Sequence, residues 1–113
     1  MATNDCWCCR LANGDRAQKQ TRWFYLGTDG AVVEDRNPKR YDLRLLFVPV
    51  EHFHCGDEPR RLWNVATERL TGVAAALMAE DPGLTLGNFD YHRHSYRAHW
   101  HVQLGLRRRD GGE

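Results

Sequence analysis

From Leu62 to Leu77 apolar residues recur at steps of three and four: Leu62, Val65, Ala66, Leu70, Val73, Ala74 and Leu77. That period lays one apolar stripe along an α-helix. The helix is expected to start after "CGDEP", where Asp57 or Glu58 is placed to cap and Pro59 suits the first turn, and to end at "DPG", residues 81–83. A lone stripe of this kind must be buried against another layer, and the remaining sequence offers a sheet.

On the N-terminal side, "TRWFYLG" (21–27) and "AVVED" (31–35) read as two strands of a hairpin around "TDG", and "DLRLLFVPV" (42–50) is apolar enough for a central strand. On the C-terminal side, "LTLGNFDY" and "AHWHVQLGL" read as two more strands joined by the polar segment "HRHSYR". A short helix over 4–13, capped by Asn4 or Asp5 and stopped at Asn13-Gly14, precedes them all. The expectation is an α+β arrangement: a mainly antiparallel sheet of about five strands, one short N-terminal helix and one long helix.

At 113 residues with 42% hydrophobic content, residues 1–113 suit a single domain that can bury a core without disulfides. A formal net charge of +1 gives no global field demanding nucleic acid or a membrane surface. No apolar run approaches the roughly 20 residues that span a bilayer, and "MATNDCWCCR" lacks the apolar core of a secretory signal, so a cytoplasmic location is expected. In a reducing compartment Cys6, Cys8, Cys9 and Cys55 read as thiols. Cys6-x-x-Cys9 is half of a common zinc site, and His52, His54, Cys55 and His99 are the candidates for the other half.

The last strand has an unusual alternation. His99, His101 and Gln103 fall on one side at spacings of roughly 7 Å, and Trp100, Val102 and Leu104 fall on the other. One face is apolar; the other carries chemistry. An imidazole with an ordinary pKa near 6.5 is largely neutral and nucleophilic at physiological pH, and an amide can hold a phosphate oxygen but cannot deliver a proton.

The order of these pieces resembles the histidine triad superfamily of nucleotide hydrolases and transferases. "CWCCRLANGD" is similar to its opening Cys-x-x-Cys and short helix; "EDRNP" to its Asp-x-x-Pro; "LRLLFVPVEHF" to its strand ending in Pro-x-x-His; "GNFDY" to the segment that carries its Asn; and "HWHVQLG" to its His-φ-His-φ-His signature. Gln103 stands at the third signature histidine, the variant of the nucleotidyltransferase and phosphorylase branch that includes galactose-1-phosphate uridylyltransferases. His94 and Ser95 replace the usual Gly-Gln pair, and Arg44 stands where a histidine is often found.

The resemblance implies a HIT-like fold and a nucleotide or nucleotide-conjugate substrate, with His101 attacking the α-phosphorus to form a covalent nucleotidyl-histidine. Gln103 and Ser95 would contact the phosphate, Asn88 would brace the loop or touch phosphate, and Asp35 would accept ribose hydroxyls. It implies a structural zinc on Cys6, Cys9, His52 and His99, which would tie the signature strand to the N-terminal helix and help aim His101. Cys8, His54 and Cys55 are substitutes, and a local set of Cys6, Cys9, His52 and Cys55 remains open. A homodimer through the long helix and a sheet edge is implied as well. Two other readings stand beside the enzyme: a zinc-stabilised nucleotide-binding module without turnover, and an RNA-binding domain using Trp7, Trp23 and Arg107, Arg108 and Arg109. His92 and His94, with Arg93 and Arg97, either line a phosphate entrance or form a solvated loop.

Overall fold

The computed structural model describes residues 6–15, 22–35, 40–90 and 99–109. Its elements are α1 (Trp7–Ala12), β1 (Trp23–Leu26), β2 (Gly30–Glu34), β3 (Leu43–Pro49), α2 (Arg60–Glu80), β4 (Leu84–Asp90) and β5 (Val102–Arg108). The strands form one sheet in the order β1-β2-β3-β5-β4, with every neighbouring pair antiparallel. It follows that β3 and β4 run the same way, joined by a crossover through α2, and β5 fills the gap between them. The expected α+β arrangement is what the chain adopts. None of its helices is long and apolar enough to cross a membrane, among the described residues.

Each face of the sheet has its own core. On one side Leu62, Ala66, Leu70 and Ala74 of α2 pack on Val32, Leu45, Phe47, Trp100, Val102, Leu104 and Leu106. On the other, Cys8, Cys9, Leu11 and Ala12 of α1 meet Ala31, Val33, Leu46 and Val48. Alternating residues of β2 and β3 serve the two clusters, so both strands are buried on both faces and their continuous apolar runs are explained.

Several boundaries differ from the sequence expectation, each for a local reason. Helix α1 spans six residues, and its N-cap is Cys6, whose Sγ accepts from the Cys9 amide at 3.4 Å; Asn4 and Asp5 lie outside the described residues. At α2 the N-cap is Pro59 and no side chain caps it; Glu58 instead accepts from the Gly56 amide and from Trp63 Nε1. The ladder of β5 starts at Val102, so His99, Trp100 and His101 precede it. The last rung to β3 is Phe47↔Val102; two residues on, Pro49 has no amide to donate and its carbonyl faces the His99 ring. The Trp100 amide turns to the Phe53 carbonyl, at 2.6 Å.

At Gly105 the missing side chain is structural. The Tyr41 ring lies across Gly105 and Gly87, and a Cβ at Gly105 would run into it. The Arg107 guanidinium covers the ring at 5.0 Å from its centroid. Gly105→Ala is therefore expected to displace Tyr41 and destabilise the protein by about 1–3 kcal/mol. Gly72, inside α2 with open space where its Cβ would stand, provides the contrast. Gly72→Ala should stabilise by about 0.5–1 kcal/mol. Urea midpoints of the two variants check both signs.

Candidate functional site

The face that α1 covers at one end carries the candidate site. Along β3, Arg44 alternates with the core residues Leu43 and Leu45 and so shares this face with Leu46 and Val48. The register puts Gln103 opposite Leu46, Asp90 opposite Gln103, and Gly105 opposite Arg44. At the end of β2, Asp35 donates its amide to the Arg44 carbonyl at 2.7 Å. Four strands thus bring Asp35, Arg44, Asp90 and Gln103 to one region, and His101 stands at its margin, two residues before Gln103.

His101 is 3% exposed, and its Nδ1 lies 2.8 Å from the His99 carbonyl. A carbonyl only accepts, so Nδ1 carries the proton and Nε2 keeps its lone pair. Burial lowers the His101 pKa below its ordinary value; the His99 carbonyl, Asp35 and Asp90 oppose that shift, and Arg44 adds to it. Burial thus favours the neutral ring, in the tautomer that carries its proton on Nδ1. Gln103 Oε1 is buried and has no hydrogen-bond partner among the described residues. An orphaned amide oxygen on the face that carries the His101 ring suits a ligand that donates a hydrogen bond.

Arg44 is the site's buried cation. It donates from one terminal nitrogen to Asp90 at 2.8 Å and pairs through the other with Asp35 at 3.6 Å.

At the other end of the same face, the Nδ1 atoms of His52 and His99 and the Sγ atoms of Cys6 and Cys9 all lie within 4.8 Å of one another. Cys9 Sγ is 3.1 Å from His52 Nδ1 and 3.3 Å from His99 Nδ1; Cys6 Sγ is 3.4 Å from His99 Nδ1; the two Nδ1 atoms are 3.1 Å apart. A tetrahedron with bonds of about 2.0 Å to nitrogen and 2.3 Å to sulfur has edges of about 3.3–3.8 Å, close to these separations. His99 Nε2 donates to the Pro49 carbonyl at 2.9 Å, which fixes the ring and turns the lone pair of Nδ1 toward the cluster. These four residues can hold a metal ion. His99 joins the two halves of the face, because its ring belongs to the cluster and its carbonyl orients His101.

The other thiols do not enter. Cys8 is fully buried, and burial first, then the neighbouring thiols, push its pKa up, so it stays protonated. Cys55 packs against the core beneath α2, and His54 is exposed, with its ring edge-on to His52 at 5.9 Å.

Of the residues expected from sequence, the structure brings together His99, His101, Gln103 and Asp35, and separately Cys6, Cys9, His52 and His99. Asn88 is exposed in a bulge between Leu86 and Phe89, and Asp90 takes the place opposite Gln103. Ser95 lies outside the described residues, as do His92, Arg93, His94 and Arg97. Asp90 was missed, although alternation carried the signal: Phe89 belongs to the α2 core, so the next residue faces the site. A cavity of about 480 Å³ between β1 and α2, lined by Phe24, Tyr25, Arg69 and Val73 among others, is on the α2 side and belongs to neither group.

No family model matches the chain, and no curated protein matches it in sequence. Among solved structures, a histidine triad protein from Clostridium difficile is similar over 94% of this chain and 93% of its own, with a TM-score of 0.62 and 19% sequence identity. The chain therefore has the histidine triad fold.

Proposed function

We propose that this protein is a nucleotide hydrolase or nucleotidyltransferase that works through a covalent nucleotidyl-histidine on His101. The observation that carries the reading is the Nδ1–H of His101 bonded to the His99 carbonyl, which leaves Nε2 as a neutral nucleophile on the face that holds Gln103. In the first step Nε2 attacks the α-phosphorus; a P–N bond forms, and the leaving group departs with the electrons of its bond to phosphorus. In the second, an oxygen of water, phosphate or a sugar phosphate attacks, and the P–N electrons return to Nε2; when water is the acceptor, its proton is released to solvent. Gln103 holds a non-bridging oxygen as charge builds on it. Because an amide N–H is too weakly acidic to protonate a leaving group, leaving groups that are already stable anions are favoured, which fits transfer from dinucleoside polyphosphates or nucleoside-diphosphate sugars.

Asp35 is assigned to ribose hydroxyls, and Ser95 and Asn88 to the phosphate side. Zinc is the metal proposed for Cys6, Cys9, His52 and His99, since two thiolates and two imidazoles suit it and four protein ligands close the site. Bound there, it would supply rigidity rather than chemistry. A cytoplasmic homodimer joined through α2 and a sheet edge completes the proposal.

Mass spectrometry of the intact protein after exposure to a panel of nucleotide conjugates tests the reading: a nucleotidyl mass increment located on His101 is expected. Tight binding with no adduct and no product would instead support a nucleotide-binding module, the reading favoured by His94-Ser95 in place of Gly-Gln.

The lowered pKa of His101 fixes a pH dependence. The neutral ring is the reactive form, so kcat/KM should be retained as pH falls through 6.5 and be lost only below that, where the ring takes up a proton. A profile whose acid limb lies at or above pH 6.5 would contradict the burial of this nucleophile.

A further inference from the structure

Within the cluster of Cys6, Cys9, His52 and His99 three members are buried and His52 is exposed. His52 also stands outside regular structure, in the segment that joins β3 to α2. A small solute therefore meets the cluster from the His52 side. The sulfur nearest that side is Cys9 Sγ, 3.1 Å from His52 Nδ1, whereas Cys6 Sγ touches the buried His99 ring.

The two sulfurs are placed to react with each other. The ligand atoms of the cluster all lie within 4.8 Å of one another, and Cys6-x-x-Cys9 is the spacing of dithiols that close to a disulfide. Cys6 is the N-cap of α1 and has extended backbone, so its side chain can turn toward Cys9 without unwinding the helix. The other two thiols are held apart. Cys8 is fully buried in the core under α1, Cys55 packs against the core under α2, and neither belongs to the cluster.

In the zinc site proposed above, Cys6 and Cys9 are thiolates, the nucleophilic form of cysteine. Zinc has no redox chemistry, so electrons taken from the site come from the sulfurs, and a disulfide no longer supplies the thiolates that hold the metal. Resting on that site, we infer that Cys6 and Cys9 form a switch sensitive to hydroperoxides: oxidation joins them in a disulfide and releases the metal that ties α1 to His52 and His99.

The step balances. Cys9 Sγ attacks a peroxide oxygen; an S–O bond forms, the O–O bond breaks, and hydroxide leaves. Cys6 Sγ then attacks the sulfur of that sulfenic acid; an S–S bond forms and a second hydroxide leaves. Two electrons pass from the sulfurs to the peroxide, and both hydroxides take protons from solvent.

Hydrogen peroxide added to zinc-loaded protein tests this, with zinc followed by a metal-binding dye and the sulfurs by peptide mass spectrometry. Zinc should appear in solution, two thiols should be lost for each ion released, and the disulfide should map to Cys6 and Cys9. Tm should fall by about 10–20 °C, and a thiol reductant with added zinc should restore it. Cys8→Ala and Cys55→Ser should release zinc as the wild type does. Zinc that stays bound in peroxide would overturn the inference alone. So would a disulfide that includes Cys8 or Cys55, release accompanied only by sulfinic acid that no thiol reductant reverses, or a Tm unmoved by oxidation. Protein purified without chelator and found to carry no zinc would overturn the zinc proposal, and this inference with it.

Discussion

Replacing His101 by alanine is expected to lower turnover by at least about 10³-fold and to abolish the nucleotidyl adduct, while nucleotide binding survives. The size follows from chemistry. Without Nε2 the substrate must be attacked directly by water or the acceptor, and the two-step route is gone. Gln103→Ala should be milder, about 10²–10³-fold, because it removes a charge-stabilising contact and leaves the nucleophile in place. The two variants also differ in kind: Gln103→Ala should still form adduct slowly, and His101→Ala should form none. Alanine at position 101 leaves a cavity in a buried site, at a cost of about 2 kcal/mol, so retained nucleotide affinity is the control that the fold persists. Burst-phase product release and intact mass measured on the same samples separate the steps. Full turnover in His101→Ala would remove this ring as nucleophile.

The period of α2 and the unbroken apolar run of β3 were legible because each is a local pattern that survives any tertiary arrangement. The alternation around His101 was legible as two faces, and Trp100, Val102 and Leu104 do fill the α2 core. What local pattern could not give was where pairing stops. The start of β5 depends on Pro49, some fifty residues earlier in the chain, and the early end of pairing leaves the signature histidines bonded to loop and backbone partners. The ion pair of Arg44 with Asp90 is of the same kind, a contact across 46 residues set by strand order and by the bulge after Leu86. The four residues that could hold a metal came from a resemblance rather than from spacing alone. Cys6-x-x-Cys9 announces half a site, but only the topology brings His52 and His99 to it.

Removing the zinc proposed for Cys6, Cys9, His52 and His99 should have the largest effect on stability. Helix α1 has six residues, too few to hold itself, and the cluster anchors it to two distant points: the segment after β3 that carries His52, and His99 just before β5. Binding at a concentration about 1,000-fold above Kd contributes about 4 kcal/mol, and each kcal/mol corresponds to about 3–5 °C for a chain of this size. A strong chelator at pH 7 is thus expected to lower Tm by about 10–20 °C, and added zinc to restore it. Cys9→Ser should behave like the chelated protein, since Cys9 Sγ touches both imidazoles; Cys55→Ser should keep the metal, measured as zinc per chain. The metal-free protein should also be sensitive to acid. Burial lowers the His99 pKa to about 4, with His52 and His101 adding to the shift and the Pro49 carbonyl opposing it. A group whose pKa falls on folding stabilises fully above its unfolded value of 6.5, and that stability is lost as pH drops toward about 4. Because the His99 carbonyl also orients His101, chelation should slow adduct formation at temperatures well below the lowered Tm. A Tm unmoved by chelation in protein shown to have lost its zinc would rule out the cluster as the clamp that holds α1 to the sheet.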